Sequence, residues 1–453
     1  MQDPSGEPSE AAQPSPLWNV LPFDILYIIF DSVAQFFSFP AIKYSRWTAR
    51  NGYTTNEADL KECFLTFSLV CRHWHTAAQP YLSKVLSLQF EASPTADPGT
   101  NHKGLLDILQ WLDTQPLLPA AVRQLRLTMV QNPRKPGSSG CDPSLLHTLL
   151  RRFHHVRTVE LYDPIFDNVQ LAAHASALAV ACAEEEEAAA PIDLDTLMLT
   201  YGPRGQTALL CFAWFGSVSK LVICSNAHSR RNVPVPVDGA LDCLPARLAA
   251  RALVLESAVS AGVRECLHRS PTFGHEGTLR ALHVRLSSLS EATLGTYLRP
   301  APRGLEELHL DLTPWRLSSA EVTVAFGELP RLRELKVLFW MKDPSGIAGW
   351  DVVHAILDTL LLRPQCHNVD DREHGLPPLR RVTLVLHGGL SDVEHGQHFA
   401  RVSAVLAGVP TLERCTLDCQ TVFDDLGTVD RRKAWFRKHM SELHARGALR
   451  FGT

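Results

Sequence analysis

One short strand pattern, written again and again, constrains this chain more than any other feature. From Val85 onward, segments of the form apolar-x-x-apolar-x-apolar recur, each followed by a loop and a helix-like stretch. GLEELHLDL holds the clearest copy, with Leu305, Leu308 and Leu310 at the apolar places. Leu332/Leu335/Val337 and Leu279/Leu282/Val284 repeat it. Weaker copies are Val122/Leu125/Leu127, Val156/Val159/Leu161, Leu194/Leu197/Leu199, Val218/Leu221/Ile223, Leu379/Val382/Leu384 and Leu412/Cys415/Leu417. Ala250/Leu253/Leu255 and Val85/Leu88/Phe90 are poorer. One strand–helix unit cannot bury its own apolar face, so neighbouring units must stack. The expected fold is therefore α/β: a horseshoe-like solenoid over residues 85–453, with a parallel sheet and a ladder of inward side chains. A doubly wound α/β domain also alternates strands with helices, but it would vary its strands, whereas here the inner spacing is fixed. SLLHTLLRRF, GQTALLCFAWFG and DVVHAILDTLLLR supply the helical halves, apolar at helical spacing.

The chain before Val85 is written differently. Residues 1–16 are rich in Pro, Ser and Glu and are expected to be disordered. LPFDILYIIFDSV follows, with Pro22 near a helix start, where its missing N–H costs nothing. Leu21, Ile25, Ile29 and Val33 stand at helical spacing, and Leu26 and Phe30 widen the stripe. A second helix is predicted from about Leu60 to Leu82, where Leu60, Phe64, Phe67, Cys71, Trp74, Ala78 and Tyr81 hold one face. Between them an aromatic, partly basic stretch at about 36–56 reads as a loop insertion. The module, residues 17–84, is apolar enough to need a partner.

LPFDILYIIFDSV and FSLVCRHWHTAAQPYL together resemble an F-box of the fungal type. Leu21, Pro22, Asp24, Ile25, Leu26, Ile29 and Phe30 match its opening motif, and Ser68, Leu69, Val70, Cys71, Arg72, Trp74, Ala78 and Leu82 its closing one. The resemblance covers roughly Leu17 to Leu88. It implies that Leu21, Pro22, Ile25, Leu26, Ile29, Phe30, Leu69, Val70, Cys71, Trp74 and Leu82 either pack the module or dock on the Skp-type adaptor of a cullin–RING ubiquitin ligase. The strand array resembles degenerate leucine-rich repeats, the region such proteins use to hold substrates; Ala250, Leu279, Leu305 and Leu332 open copies at intervals inside that period. Two features depart from the patterns. The F-box halves are separated by an insertion, and the repeats rarely carry Asn at the third residue after the motif: Asn226 does, where Thr313, Trp340 and Gln420 stand elsewhere.

Composition removes several function classes. A net charge of −4 over 453 residues, with 20% charged, gives no basic footprint for nucleic acid. The eleven cysteines form no C-x-x-C pair and many sit in apolar runs, such as Cys211, Cys224 and Cys415, which fits a reducing compartment. The N-terminus lacks the basic and apolar regions of a signal peptide, and no stretch reaches the roughly 18 apolar residues of a membrane helix. A cytoplasmic or nuclear location is expected, without membrane contact.

Residues for catalysis are sought in vain. GTNHKGL (Gly99 to Leu105) has P-loop glycines but Leu105 where lysine is required. LHGGL (Leu386 to Leu390) reads as a strand-end turn, since no G-x-S-x-G accompanies it. His387, Asp392, Glu394, His395 and His398 form the densest ligand-like cluster, and His395 and His398 could share a helical face toward zinc; a solvated loop and helix start is the preferred reading. Glu184 to Glu187 reads as a solvated run, and DRRKAWFRKHMSELHARG as a capping helix at about 429–446. No catalytic residue, metal or cofactor is expected.

Alternation along the strands places a candidate partner surface. With Leu305, Leu308 and Leu310 inward, Glu307, His309 and Asp311 point outward. The same register offers His283 and Arg285, Glu334 and Lys336, Arg381, and Arg414 and Asp418, with blander Gln124, Thr158 and Thr196 on the first strands. The expected function is a non-enzymatic adaptor: the module grips the ligase adaptor, and through it a cullin, while the solenoid grips an unknown protein target. The alternative is a scaffold of the same parts that assembles a complex without ubiquitin transfer.

Overall fold

The computed structural model describes residues 21–38, 63–82, 84–91, 103–130, 141–162, 166, 168–184, 190–201, 210, 212–225, 247–256, 267–273, 277–285, 304–312, 329–341, 349–361, 378–388, 392–421 and 429–452. The N-terminal tail, the insertion beyond residue 38, Asn226, Thr313 and Glu185 to Glu187 lie outside the described residues. The chain divides into two compact units, Met1–Leu86 with Gln115–Gln124, and Ser87–Thr114 with Leu125–Thr453.

In the Met1–Leu86 part of the first unit the described helices are α1 (Phe23–Ser38), α2 (residues 63–68) and α3 (Arg72–Leu82). The Pro22 carbonyl accepts from the N–H groups of Ile25 and Leu26, so the proline stands at the helix entry. The core is Leu26, Phe30, Phe64, Trp74, Ala77 and Ala78, with Leu21, Val33, Phe67, Cys71 and Tyr81 packed around it. Each large side chain buried this way contributes roughly 1.5–3 kcal/mol. The second helix keeps the predicted face but is not continuous. It breaks after Ser68, where Leu69 and Val70 donate to Thr66 and Phe67 three residues back, and restarts at Arg72.

The remaining elements are β1 (Val85–Glu91), β2 (Lys103–Gly104), α4 (Leu105–Asp113), α5 (Leu118–Ala121), β3 (Gln124–Val130), α6 (Pro143–Arg152), β4 (Thr158–Tyr162), α7 (Asn168–Ala183), β5 (Ile192–Tyr201), β6 (Phe215–Ser225), β7 (Ala249–Leu255), β8 (Ala281–Arg285), β9 (Glu307–Asp311), β10 (Glu334–Trp340), α8 (Trp350–Leu361), β11 (Arg381–His387), α9 (Asp392–Ala407), β12 (Arg414–Thr421), α10 (Val429–His439), α11 (Ser441–Ala445) and β13 (Leu449–Phe451). Among the described residues these strands form one sheet in which β3 to β13 follow in sequence order and β2 lies outside β1. Every pairing from β4 to β13 is parallel. This is the solenoid-like order that the repeated motif predicts.

Register shows why the motif works. Val159, Leu197, Leu221, Leu253, Leu282, Leu308, Leu335, Val382, Cys415 and Leu449 pair neighbour to neighbour in a single row. Two residues on, Leu161, Leu199, Ile223, Leu255, Val284, Leu310, Val337, Leu384, Leu417 and Phe451 make a second. Nearly all of these side chains are buried. Helices lie on that side: Trp350 of α8 meets Phe339 of β10 with ring centroids 5.0 Å apart, and Phe436 of α10 faces Phe451 at 6.2 Å. The stretch read as one capping helix forms α10 and α11, and β13 follows them at the sheet edge. Trp435, Phe436, Met440 and Leu443 are buried, and Arg446 donates to the carbonyls of Ala407, Val409 and Pro410 at the end of α9. GQTALLCFAWFG departs from expectation, because Phe215 and Gly216 already belong to strand β6.

Candidate functional site

In the first unit, α1 presents apolar residues on two sides. Leu26 and Phe30 enter the core, while Ile25, Ile28 and Ile29 are exposed, Ile28 to 62%. These three stand at i, i+3 and i+4 and so share one stripe. Leu65, Leu69 and Val70 form a second exposed set on α2 and the break that follows it, with Leu69 85% exposed. The entry is pinned from α3: His73 Nε2 donates to the Leu21 carbonyl at 2.8 Å, and its ring lies 3.8 Å from that of Phe23. The Tyr81 hydroxyl donates to Asp31 Oδ1 at 2.8 Å, and burial together with that carboxylate raises its pKa.

The residues matched to the F-box motif therefore separate. Pro22, Ile25, Ile29, Leu69 and Val70 are exposed; Leu21 and Cys71 are half-buried. Leu26, Phe30 and Trp74 lie in the core and can meet no partner without unpacking it, because each is at most 9% exposed. The side chain of Leu82 lies outside the described ones. Ile28 and Leu65 belong to the exposed apolar set, although the motif did not single them out.

In the second unit the outward side chains align as the alternation predicts. Glu307, Glu334, Arg381 and Arg414 pair along one row, and His283, His309 and Lys336 along the next. Arg285 pairs with Asp311 in a third. Arg381 forms an ion pair with Glu334 at 2.9 Å. The rings of His283 and His309 stack with centroids 3.8 Å apart and planes 11° apart. Burial lowers the His283 pKa to about 4, helped by Lys336, Lys220 and Arg285. It lowers His309 to about 2, with His283 and Lys336 adding to the effect. Both rings are neutral near pH 7.

Asp311 requires a correction. It points outward but is wholly buried, with Arg285 Nε 3.6 Å from its carboxylate. Leu338 and Val385, facing outward on β10 and β11, are also buried, so the outer face is covered toward these strand ends. On the first strands Gln124, Thr158 and Thr196 are half-buried. Beside them lies a network that sequence reading missed: Arg126 Nε and the Tyr162 hydroxyl both donate to Glu160 Oε2, at 2.8 and 2.9 Å.

The histidine-rich segment includes the expected helix start, at Asp392, but its described histidines are not solvated loop residues. His387 and His395 are buried, and His398 stacks on Trp350 at 5.0 Å with its Nδ1 3.0 Å from His354 Nε2. Phe399 meets the same Trp350 ring edge-on at 4.8 Å, so His395 and His398 pack between α8 and α9, while His387 lies beside Trp340 on the outer face of the sheet. Among the described residues no group of three or more His, Cys, Asp or Glu is placed to hold a metal ion. Where the P-loop-like segment enters α4, the Gly104 N–H donates to Asp107 at 3.1 Å, so a carboxylate already takes the place a phosphate would need. Gly388, in LHGGL, has φ +99°, the turn that its glycine pair predicts. No described helix is long and apolar enough to cross a membrane.

No family model matches the sequence, and none of the curated proteins compared with it does. Among solved structures the chain is similar to the leucine-rich repeat-containing protein LegL7 from Legionella pneumophila. Identity is 16% over 78% of this chain and 98% of that one, at a TM-score of 0.33.

Proposed function

We propose that this chain is a non-catalytic, substrate-recruiting subunit of a Skp–cullin–F-box type ubiquitin ligase. The first unit docks the Skp-type adaptor, and the outer face of the sheet receives a protein target. The observation that carries the reading is the exposed apolar set Ile25, Ile28, Ile29, Leu65, Leu69 and Val70 beside an intact aromatic core. Exposed apolar residues of this kind mark interaction sites, and these lie on α1, on α2 and in the break after it, the segments whose sequence resembles an F-box. Positioning is the whole of the chemistry: the adaptor brings the catalytic partners, and this chain brings the target.

The test is co-purification of the full chain with a Skp-type adaptor and a cullin. Ile28→Asp with Leu69→Asp places charges in the interface but not in the core. A buried unpaired carboxylate costs several kcal/mol, so adaptor capture falls by at least about a hundredfold while the helical signal is kept. Undiminished capture by the double variant overturns the docking assignment. Adaptor retained without cullin overturns the ligase assignment and leaves the scaffold alternative.

A further inference from the structure

Five strands of the second unit, β6 to β10, carry on their outer face an arrangement that reaches beyond the positions read from sequence. In the row of Glu307, the residues on the preceding strands are Ala281, Ala252 and Lys220. In the row of His309 they are His283 and Val254, with Lys336 on the far side. The middle of this face is therefore a low floor: two alanines, a valine and two imidazole rings lying flat on one another. Lys220 is exposed on β6, Lys336 half-buried on β10, and Arg285 half-buried on β8 between them. Neither lysine makes an ion pair among the described residues, and both act on the His283 ring together with Arg285.

Acidic groups on the same face are mostly engaged. Glu334 holds Arg381 at 2.9 Å, Asp311 is buried against Arg285, and Glu256 accepts from the Cys224 thiol at 3.1 Å. Among the described residues of this face Glu307 stands exposed, on the N-terminal side of the imidazole pair.

We propose that this floor binds an extended acidic segment of the target, laid across strands β6 to β10 so that its carboxylates meet Lys220, Arg285 and Lys336. The assignment rests on the reading of the outer face as the target surface and names the class of target it accepts. Geometry selects an extended chain over a small anion. Lys220 and Lys336 stand four strands apart, roughly 19 Å at the backbone, too far for one phosphate to bridge. An extended peptide covers that distance in about six residues. The two alanines leave room for its backbone, and Glu307 repels it from the opposite side, which fixes its track.

The test uses the full chain and fluorescein-labelled hexaglutamate, read by fluorescence anisotropy. Hexaglutamate binds, hexaglutamine does not, and added salt weakens the complex. Lys220→Gln with Lys336→Gln weakens it at least about tenfold; Lys220→Gln alone, at an exposed position, gives a smaller loss without touching the fold. Binding equal to hexaglutamine, indifference to both lysines, or displacement by inorganic phosphate as effective as by unlabelled hexaglutamate overturns the proposal. Adaptor capture is read separately: if it persists while hexaglutamate fails to bind, only this inference falls.

Discussion

Replacing Phe30 by alanine removes the ring at the centre of the first unit's core. Phe30 is wholly buried and touches four rings: Phe67 at 5.1 Å, Phe64 at 5.4 Å, Trp74 at 5.6 Å and Tyr81 at 5.7 Å. A buried Phe→Ala change costs about 3–5 kcal/mol. The ring pairs, at roughly 0.5–1.5 kcal/mol each, overlap with that figure instead of adding to it. Two of the other core members are Ala77 and Ala78, which cannot expand into the gap, so about 4 kcal/mol is the working value. Since each 1.4 kcal/mol or so is tenfold, opening of α1 and α3 becomes about a thousandfold more frequent. Native-state hydrogen exchange measures this directly at the amides of residues 23–38 and 72–82, with β9 to β11 as an internal reference. Ile28→Asp, at a position 62% exposed, changes the same protection by no more than about 0.5 kcal/mol. Full protection in the Phe30→Ala protein refutes the core. Equal loss in both variants refutes the assignment of which side of α1 faces inward.

Arg285→Ala removes a cation that lies 3.6 Å from the buried Asp311 carboxylate. Breaking a buried pair costs about 3–5 kcal/mol, less here because the arginine side chain is 22% exposed, so the urea midpoint falls by the equivalent of about 2 kcal/mol. An unchanged midpoint shows that the pair does not hold the strand ends. Gly388→Ala forces an L side chain to φ +99° and lowers stability by about 1–2 kcal/mol, visible as a lower Tm. Acid lability follows from histidines whose folded pKa is lowered: His283 and His354 to about 4, and His309 to about 2. Below the ordinary imidazole value of about 6.5 the unfolded chain takes up protons that the native chain refuses. Stability is therefore lost as pH falls from that value toward about 4. His283→Gln with His309→Gln reduces the slope of Tm against pH, and an unaltered slope contradicts the burial of the pair.

Much of the second unit was legible because the strand period is two. Once Leu305, Leu308 and Leu310 are set inward, every neighbour with the same spacing follows, and a slip of one residue would turn the whole apolar set to the other face. That is why even the poor copy Ala250/Leu253/Leu255 takes its place in the rows. β13 escaped notice because three residues, Leu449–Phe451, are too short to display a period. The same register extended one strand further would have found Lys220, which pairs with Thr196. Burial on the outer face was not legible: alternation tells which side a residue faces, not whether something covers that side. Asp311 and the outward Leu338 look alike to a period of two, and the carboxylate is buried there with Arg285 on the adjacent strand 3.6 Å away.

Helix α1 is present, but its inward direction was not legible, for a different reason. A helix turns about 100° per residue, so its inward direction is read from contrast between apolar and polar positions. FDILYIIFDSV has too little contrast: Ile25, Leu26, Ile28, Ile29 and Phe30 cover most of the circumference. The stripe Leu21, Ile25, Ile29, Val33 and the stripe Leu26, Phe30, Val33 fit that sequence equally well, and tertiary packing chose the second. The ambiguity carries functional information. A helix with one buried face needs only one apolar stripe, and a second one exposed to water costs solubility with no return in folding. Leu69 makes the same point more sharply. It stands at a break in the helix, 85% exposed, where a polar residue would serve the turn at least as well. These exposed apolar side chains, which the core of the unit does not bury, are the ones that the docking proposal assigns to the covered surface.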